Sequence, residues 1–300
     1  MKTKPQKRAR AGKFKVDENA QRKFMDDAGR SLADFSVAFG YSKKGNAYRF
    51  NAIGSGVLVK RGNRFGILTA RHCVHHPGPE LQLGSFDGDT LYLVLQRGRG
   101  IVVQSQDVIE RPLVTPTSKE FGPDLAFIEI LSPTLLGSIK AIGSFWSLDK
   151  NPSKIAEDFG KIGDPFVFTG FPGVHQETKI EGNTVRHNIK HMTYYYKIAQ
   201  DSIRDNDGWD YIEGNCWYGK KSELPETFGG VSGGGVWGLK ASFNETNGLL
   251  KLTDYALVGI AFLETPIKNK KRRLRAHFIK SIYDLAWKEL EQSPALNHDA

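Results

Sequence analysis

The ten residues Phe228-Gly229-Gly230-Val231-Ser232-Gly233-Gly234-Gly235-Val236-Trp237 constrain this chain more than any other stretch. Five glycines around one serine permit positive φ and a close approach of ligand to backbone that side chains would block. An apolar segment follows at once in Val236-Trp237-Gly238-Leu239, so the run reads as a shaped turn entering a strand rather than a free linker. No Lys stands in the Walker position, which argues against a phosphate cradle. Such a turn can present a serine together with backbone N–H groups aimed at one point, the arrangement an oxyanion nest requires.

The rest of the chain is patterned mainly as short strands. Alternating or apolar runs occur at Phe35 to Tyr41, Tyr48 to Lys60, FGILTA, LYLVLQ, IVVQSQDVI, DLAFIEIL and FVFTGFP. They resume in KIEGNTVRHNIKHMTYYYKIAQ, where Gly182-Asn183 predicts a hairpin turn, and in GGVWGLK and TDYALVGIAFLE. Lys60-Arg61-Gly62-Asn63 supplies turn chemistry for a further hairpin. Residues 136–163 carry fewer strand signals and read as a connection between two strand sets.

Helices are expected at the two ends. Ala20, Phe24, Ala28 and Leu32 recur every four residues, which predicts an amphipathic helix over 17–34 with Asp17 near its N-cap. Phe278, Ile282, Leu285 and Trp287 to Leu290 predict a second over 276–292. The resulting plan is a disordered basic tail at 1–16, the helix at 17–34, a first β unit at 35–135, the connection at 136–163, a second β unit at 164–275 and the closing helix. Two strand sets joined by a connection argue for an all-β fold of two packed barrels.

Charge and cysteine content narrow the setting. The chain carries a net charge of +9, and Met1–Lys15 and Lys268–Lys280 each hold seven Lys or Arg without an acid. Outside these two stretches the chain is net negative. An anionic partner for the basic tail, nucleic acid among them, therefore stays open beside the simpler reading of a solvated tail. Only Cys73 and Cys216 are present, too few for a disulfide framework, which favours two free thiols in a reducing, cytoplasmic compartment. No apolar run is long enough to span a bilayer, and the N-terminus lacks the apolar core of a secretory signal.

Two more segments can carry chemistry with Ser232. His72 follows the apolar run Phe65 to Ala70, where the end of a strand can hold an imidazole rigidly. His75 and His76 lie close by, but spacings this tight make a weak zinc signal, so no metal is expected. Asp124 opens the apolar run Leu125 to Ile130; a carboxylate entering a buried strand needs a partner, and a His Nδ1–H is one of few that keeps it ionised.

TARHC, GPDLAFIEI and GGVSGGGVW, in this order, resemble the His, Asp and Ser motifs of the trypsin-like (chymotrypsin-fold) serine peptidases, and the chain looks like a bacterial, intracellular member. AIGSGVLV and YALVGIAF are similar to strands of that family, so the resemblance runs from about Ile53 to Phe262. It implies two six-stranded antiparallel β-barrels, with Ser232 as nucleophile, His72 as base, Asp124 as the residue that orients His72, and the N–H groups of Gly230 and Ser232 as oxyanion hole. It implies no cofactor and a protein or peptide substrate. By the same resemblance Glu226 stands six residues before Ser232 at the floor of the side-chain pocket, where it would favour Lys or Arg in the substrate. Phe262, Leu263 and Glu264 resemble the edge that pairs with substrate backbone, with Glu264 a rival acidic determinant.

The chain departs from the family at Val231, where activated animal members carry an Asp that pairs with a newly cut N-terminus. The family's disulfide beside the catalytic His is also missing. A binding module that keeps the fold without catalysis, and a peptidase tethered to nucleic acid through its basic segments, remain as alternatives.

Overall fold

The computed structural model describes residues 18–42, 50–74, 90–95, 100–114, 122–181, 184–199, 202–218, 224–244 and 249–292. The tail at 1–16, the cap at Asp17 and the turn at Gly182-Asn183 lie outside them. The fold is mostly β, built on two sheets. The first curls into a half-barrel from β1 (Ser36–Ser42), β2 (Phe50–Arg61), β3 (Arg64–Thr69), β4 (Thr90–Leu95), β5 (Gly100–Val103), β6 (Val108–Pro112) and β7 (Ala126–Ile130). Its order is β5-β4-β1-β2-β3-β7-β6, with the short β8 (Trp146–Ser147) parallel to β2.

The second sheet uses β9 (Pro165–Gly170), then β12 (Met192–Lys197), β13 (Ile203–Asn206), β14 (Trp209–Trp217), β15 (Gly235–Asn244), β16 (Leu249–Glu264) and β17 (Lys271–His277), in the order β12-β9-β15-β16-β17-β14-β13. Between β9 and β12 the chain makes a separate hairpin of β10 (Gln176–Glu181) and β11 (Thr184–Ile189).

Period-two alternation sorts the central strands between two cores. Val57, Val59, Leu68 and Phe127 face a core shared by the two sheets, while Leu58, Ile67, Ala126 and Ile128 face the interior of the first sheet. Both faces are thus dry over 54–59 of β2, 66–69 of β3 and 126–128 of β7, which is why these segments read as continuous apolar runs. The shared core includes an aromatic cluster of Phe35, Trp146, Trp237 and Tyr255, with ring centroids 5.3 to 6.0 Å apart. Each such pair contributes about 0.5–1.5 kcal/mol beyond its area.

The helix α1 (Glu18–Ala33) lays Ala20, Phe24, Ala28 and Leu32 against the second sheet, as their spacing requires. The connection holds two short helices, α2 (Pro133–Lys140) and α3 (Pro152–Phe159). Ser132 and Asn151 cap them through their side chains and a Pro follows each cap, so the start signals are present in the sequence. After β17 a π turn at Ser281–Leu285 runs into α4 (Ala286–Gln292). Tyr283 fixes this end: its hydroxyl donates to the Leu257 carbonyl and accepts Trp146 Nε1–H, each at 2.8 Å.

Two stretches differ from the sequence pattern. IVVQSQDVI is two strands, because Gln104 and Asp107 bracket a 3-10 turn and Asp107 accepts the Gln104 N–H at 3.1 Å. The basic stretch after Lys268 is largely the strand β17, with Leu274 and Ala276 in the core and Arg275 buried against Glu213 at 2.6 Å. Among the described residues no helix is long and apolar enough to cross a membrane.

Candidate active site

His72 lies in a single 3-10 turn, Arg71–Cys73, at the end of β3. Asp124 lies two residues before β7, the neighbour of β3, so adjacent strands of one sheet deliver both side chains. The carboxylate grips His72 twice: Oδ2 meets Nδ1 at 2.5 Å and Oδ1 accepts the His72 backbone N–H at 3.0 Å. The double contact fixes both the position and the plane of the ring, leaving Nε2 directed away from the carboxylate.

The electrostatics follow from that geometry. Burial by itself would raise the Asp124 carboxyl, but the hydrogen bonds and charge of His72 outweigh it and hold Asp124 below the ordinary carboxylate value. Burial likewise works against a charged His72, yet the neighbouring Cys73 and the hydrogen bond and charge of Asp124 prevail and raise it to about 11.

Ser232 reaches the same place from the second sheet. Its turn depends on two glycines with positive φ, Gly230 at +92° and Gly233 at +84°. A β-carbon on Gly233 would overlap the Ser55 carbonyl oxygen and the Thr69 hydroxyl, so no other residue fits. Among the described residues neither the Gly230 nor the Ser232 N–H has an acceptor, whereas the neighbouring Val231 N–H is bonded to the Phe228 carbonyl at 2.8 Å. Two backbone N–H groups without an acceptor among the described residues thus stand on either side of Val231 in this turn.

Ser55 organises this turn. Fully buried in β2, it accepts the Phe171 N–H at 2.9 Å and donates to the Gly230 carbonyl at 2.6 Å through its hydroxyl. Its backbone N–H donates to the Ser232 carbonyl at 2.8 Å, and its own carbonyl accepts the Thr69 hydroxyl at 2.7 Å. Val231 is buried in the shared core, an apolar seat for the position where the resembling animal enzymes use an Asp. A serine reached from the other sheet, not a carboxylate in the turn, holds the loop.

Cys73 bridges the two halves. Its sulfur is 3.8 Å from His72 Nε2 and donates to the Ser232 carbonyl at 3.3 Å. Ser232 Oγ itself lies 3.5 Å from the Phe262 carbonyl, and among the described residues it makes no hydrogen bond to His72. His72 is thus joined directly to Asp124 and, through the Cys73 sulfur, to the backbone of Ser232, while among the described residues no hydrogen bond joins Ser232 Oγ to His72. His75 and His76 lie outside the described residues. Cys73 and Cys216 are both buried and free.

Phe262 is the extra residue of a β-bulge: Ala261 pairs with Ala276 and Leu263 with Arg275, leaving Phe262 unpaired. Bulges re-aim groups beside sites, and here the effect is a carbonyl turned toward Ser232. Phe262, Leu263 and Glu264 have β17 on one side, while on the other the ladder to β15 ends at Ile260, leaving an edge beside the serine. Glu226 is exposed, and among the described residues its one hydrogen bond is from its carbonyl, which accepts Arg272 at 2.8 Å. The Glu264 carboxylate turns back to the chain: it accepts Thr227 Oγ at 2.8 Å and Phe228 N–H at 2.7 Å, and pairs with Arg272 at 2.6 Å. Its charge is matched within the protein.

Sequence reasoning misses His277. This ring is fully buried at the end of β17, and its Nε2 accepts the Asp124 N–H at 3.0 Å. It stacks on Phe262 with centroids 4.6 Å apart, so one ring supports both the Asp124 backbone and the Ser232 side of the cleft. Burial pushes it down to about 3, which keeps it a neutral acceptor. No family model matches the chain, and no curated protein matches it.

Proposed function

We propose that the chain is a serine endopeptidase of the trypsin-like type, with its two sheets serving as two barrel-like halves, each with more strands than the six expected, and the site between them. The observation that carries this reading is the pairing of His72 with Asp124 at 2.5 Å, next to a Cys73 sulfur that contacts the Ser232 carbonyl, with the Gly230 and Ser232 N–H groups lacking an acceptor among the described residues. Ser232 Oγ attacks the substrate carbonyl carbon while His72 Nε2 takes its proton. The Gly230 and Ser232 N–H groups receive the oxyanion. His72 then returns the proton to the leaving amine, and water, activated by the same imidazole, releases the acyl group. Asp124 keeps the Nδ1 tautomer and stabilises the imidazolium.

The open distance between Ser232 and His72 closes when substrate enters, since unliganded sites often hold such contacts long. That same open contact favours a second reading, a binding module that keeps the fold without catalysis. The two free cysteines support a cytoplasmic setting. Internal pairing of Arg272 and Arg275 leaves less of the Lys268–Lys280 charge for a nucleic acid, although the tail could still tether the enzyme.

A fluorophosphonate probe decides between peptidase and binding module. It should label the wild type and not Ser232→Ala, and the variant should lose roughly 10⁶-fold in rate. Labelling of both proteins, or of neither, would sink the peptidase reading.

A further inference from the structure

The contacts of Glu264 describe a carboxylate-binding site that the chain fills with its own side chain. Three donors converge on it from two directions: Thr227 Oγ and Phe228 N–H from the segment leading to Ser232, and the Arg272 guanidinium from β17. All lie at 2.6 to 2.8 Å, the range of strong charge-assisted hydrogen bonds. Arg272 is held from behind by the Glu226 carbonyl, and its side chain is only 11% exposed. Its buried Nε has no acceptor among the described residues. Glu264, by contrast, is 31% exposed and can swing to water.

The cradle lies within reach of the chemistry. Phe228 belongs to the loop that ends in Ser232, and Glu264 stands two residues past the Phe262 carbonyl that contacts Ser232 Oγ. A strand advances about 3.3 Å per residue, so this offset is about 7 Å, the span of one substrate residue with its side chain. A lysine or arginine entering there meets Arg272. An acidic side chain meets three donors arranged for it and leaves the charge balance unchanged when Glu264 departs.

We infer that this cradle is the subsite for an acidic side chain of the substrate, next to the bond that is cut, and that Glu264 is its built-in competitor. The inference rests on the peptidase reading above and gives that site a substrate class. A tethered carboxylate competes at a high effective concentration, and the apparent affinity for substrate falls by the fraction of time the cradle is occupied. Weakening the tethered carboxylate should therefore tighten acidic ligands and leave neutral ones unchanged.

The test uses the full chain carrying Ser232→Ala, so that bound peptides survive. Two fluorescent peptide pools, identical and neutral except for one fixed Glu or Gln, are titrated by anisotropy. Adding Glu264→Gln, which keeps hydrogen-bonding atoms but removes the charge, should tighten the Glu pool about tenfold and not the Gln pool. Glu264→Ala provides the same comparison with the side chain gone. Adding Arg272→Gln should abolish the preference for Glu.

Equal binding of the two pools to the Glu264 variants, or binding of neither, overturns the inference. Fluorophosphonate labelling is scored separately on Glu264→Gln with Ser232 intact. Labelling without a preference for Glu removes the cradle and keeps the peptidase. A preference for Glu without labelling supports the cradle and removes the peptidase.

Discussion

His277 Nε2 accepts the backbone N–H of Asp124 at 3.0 Å inside a fully buried site. A phenylalanine there would fill the space between Phe262 and Tyr211 but leave that N–H without an acceptor. An unsatisfied buried donor costs about 1–3 kcal/mol. We expect His277→Phe to lower stability by about that amount in urea unfolding and to lower kcat more than it raises KM, because the grip of Asp124 on His72 loosens. His277→Gln offers an amide oxygen and should recover most of the kcat. Equal loss in both variants would show that the ring packs without positioning Asp124.

The same contact sets an acid limit. His277 is held at about 3 by burial, against an ordinary value of about 6.5. Between these values the unfolded chain binds a proton that the folded chain refuses, so stability falls as pH falls, by up to about 1.4 kcal/mol per pH unit. Asp124, depressed in the fold, adds to the loss at the acid end, while the raised His72 contributes stability present below about 6.5 and lost as pH rises through its folded value. The difference in unfolding free energy between wild type and His277→Gln isolates the one group. It should shrink steadily from pH 7 to pH 4, and a constant difference would mean that His277 does not titrate in this window.

How much of this was readable in advance depended on whether the signal was local. His72, Asp124 and Ser232 each stand at the end of an apolar strand, so a motif a few residues long carries position and chemistry together. Ser55 is a lone serine inside AIGSGVLV; its importance comes from Gly230 and Phe171, which approach only in the folded chain. His277 is hidden in a basic stretch whose strand character shows only once Glu213 buries Arg275. Glu264 reads from sequence as an acid available to substrate, and its pairing with Arg272 depends on the turn between β16 and β17. The sheets followed from alternation, while α2 and α3 needed attention to the Ser-Pro and Asn-Pro pairs that start them.

Ser55→Ala tests whether the Ser232 turn is held from the other sheet. Loss of the hydroxyl leaves the Gly230 carbonyl and the Phe171 N–H unpaired in a buried place, at a cost of about 1–3 kcal/mol. In the proposed peptidase, part of that cost appears as a misplaced oxyanion donor. Phosphonylation by a fluorophosphonate, in which Ser232 Oγ bonds to phosphorus and fluoride leaves, should slow roughly ten- to a hundredfold, while the near-ultraviolet spectrum stays that of the folded protein. An unchanged labelling rate would assign the organisation of the turn to its backbone contacts alone.

The pH dependence of kcat/KM reports on His72 directly. In the proposed reaction the imidazole must be neutral to take the Ser232 proton, and its value is raised by Cys73 and Asp124 against the effect of burial. Activity should therefore climb with pH through a value above the ordinary 6.5 or so. Asp124→Asn removes the stabilising charge, so the acid limb should move to lower pH while the plateau falls by about 10⁴-fold, the size of effect attached to the wrong tautomer in the Ser-His-Asp template. Cys73→Ala should move the limb in the same direction with little loss of plateau, because its sulfur touches His72 Nε2 but takes no part in the proton transfer. If the limb stays in place in both variants, the field around His72 comes from neither neighbour, and the open contact with Ser232 becomes the quantity that governs the profile.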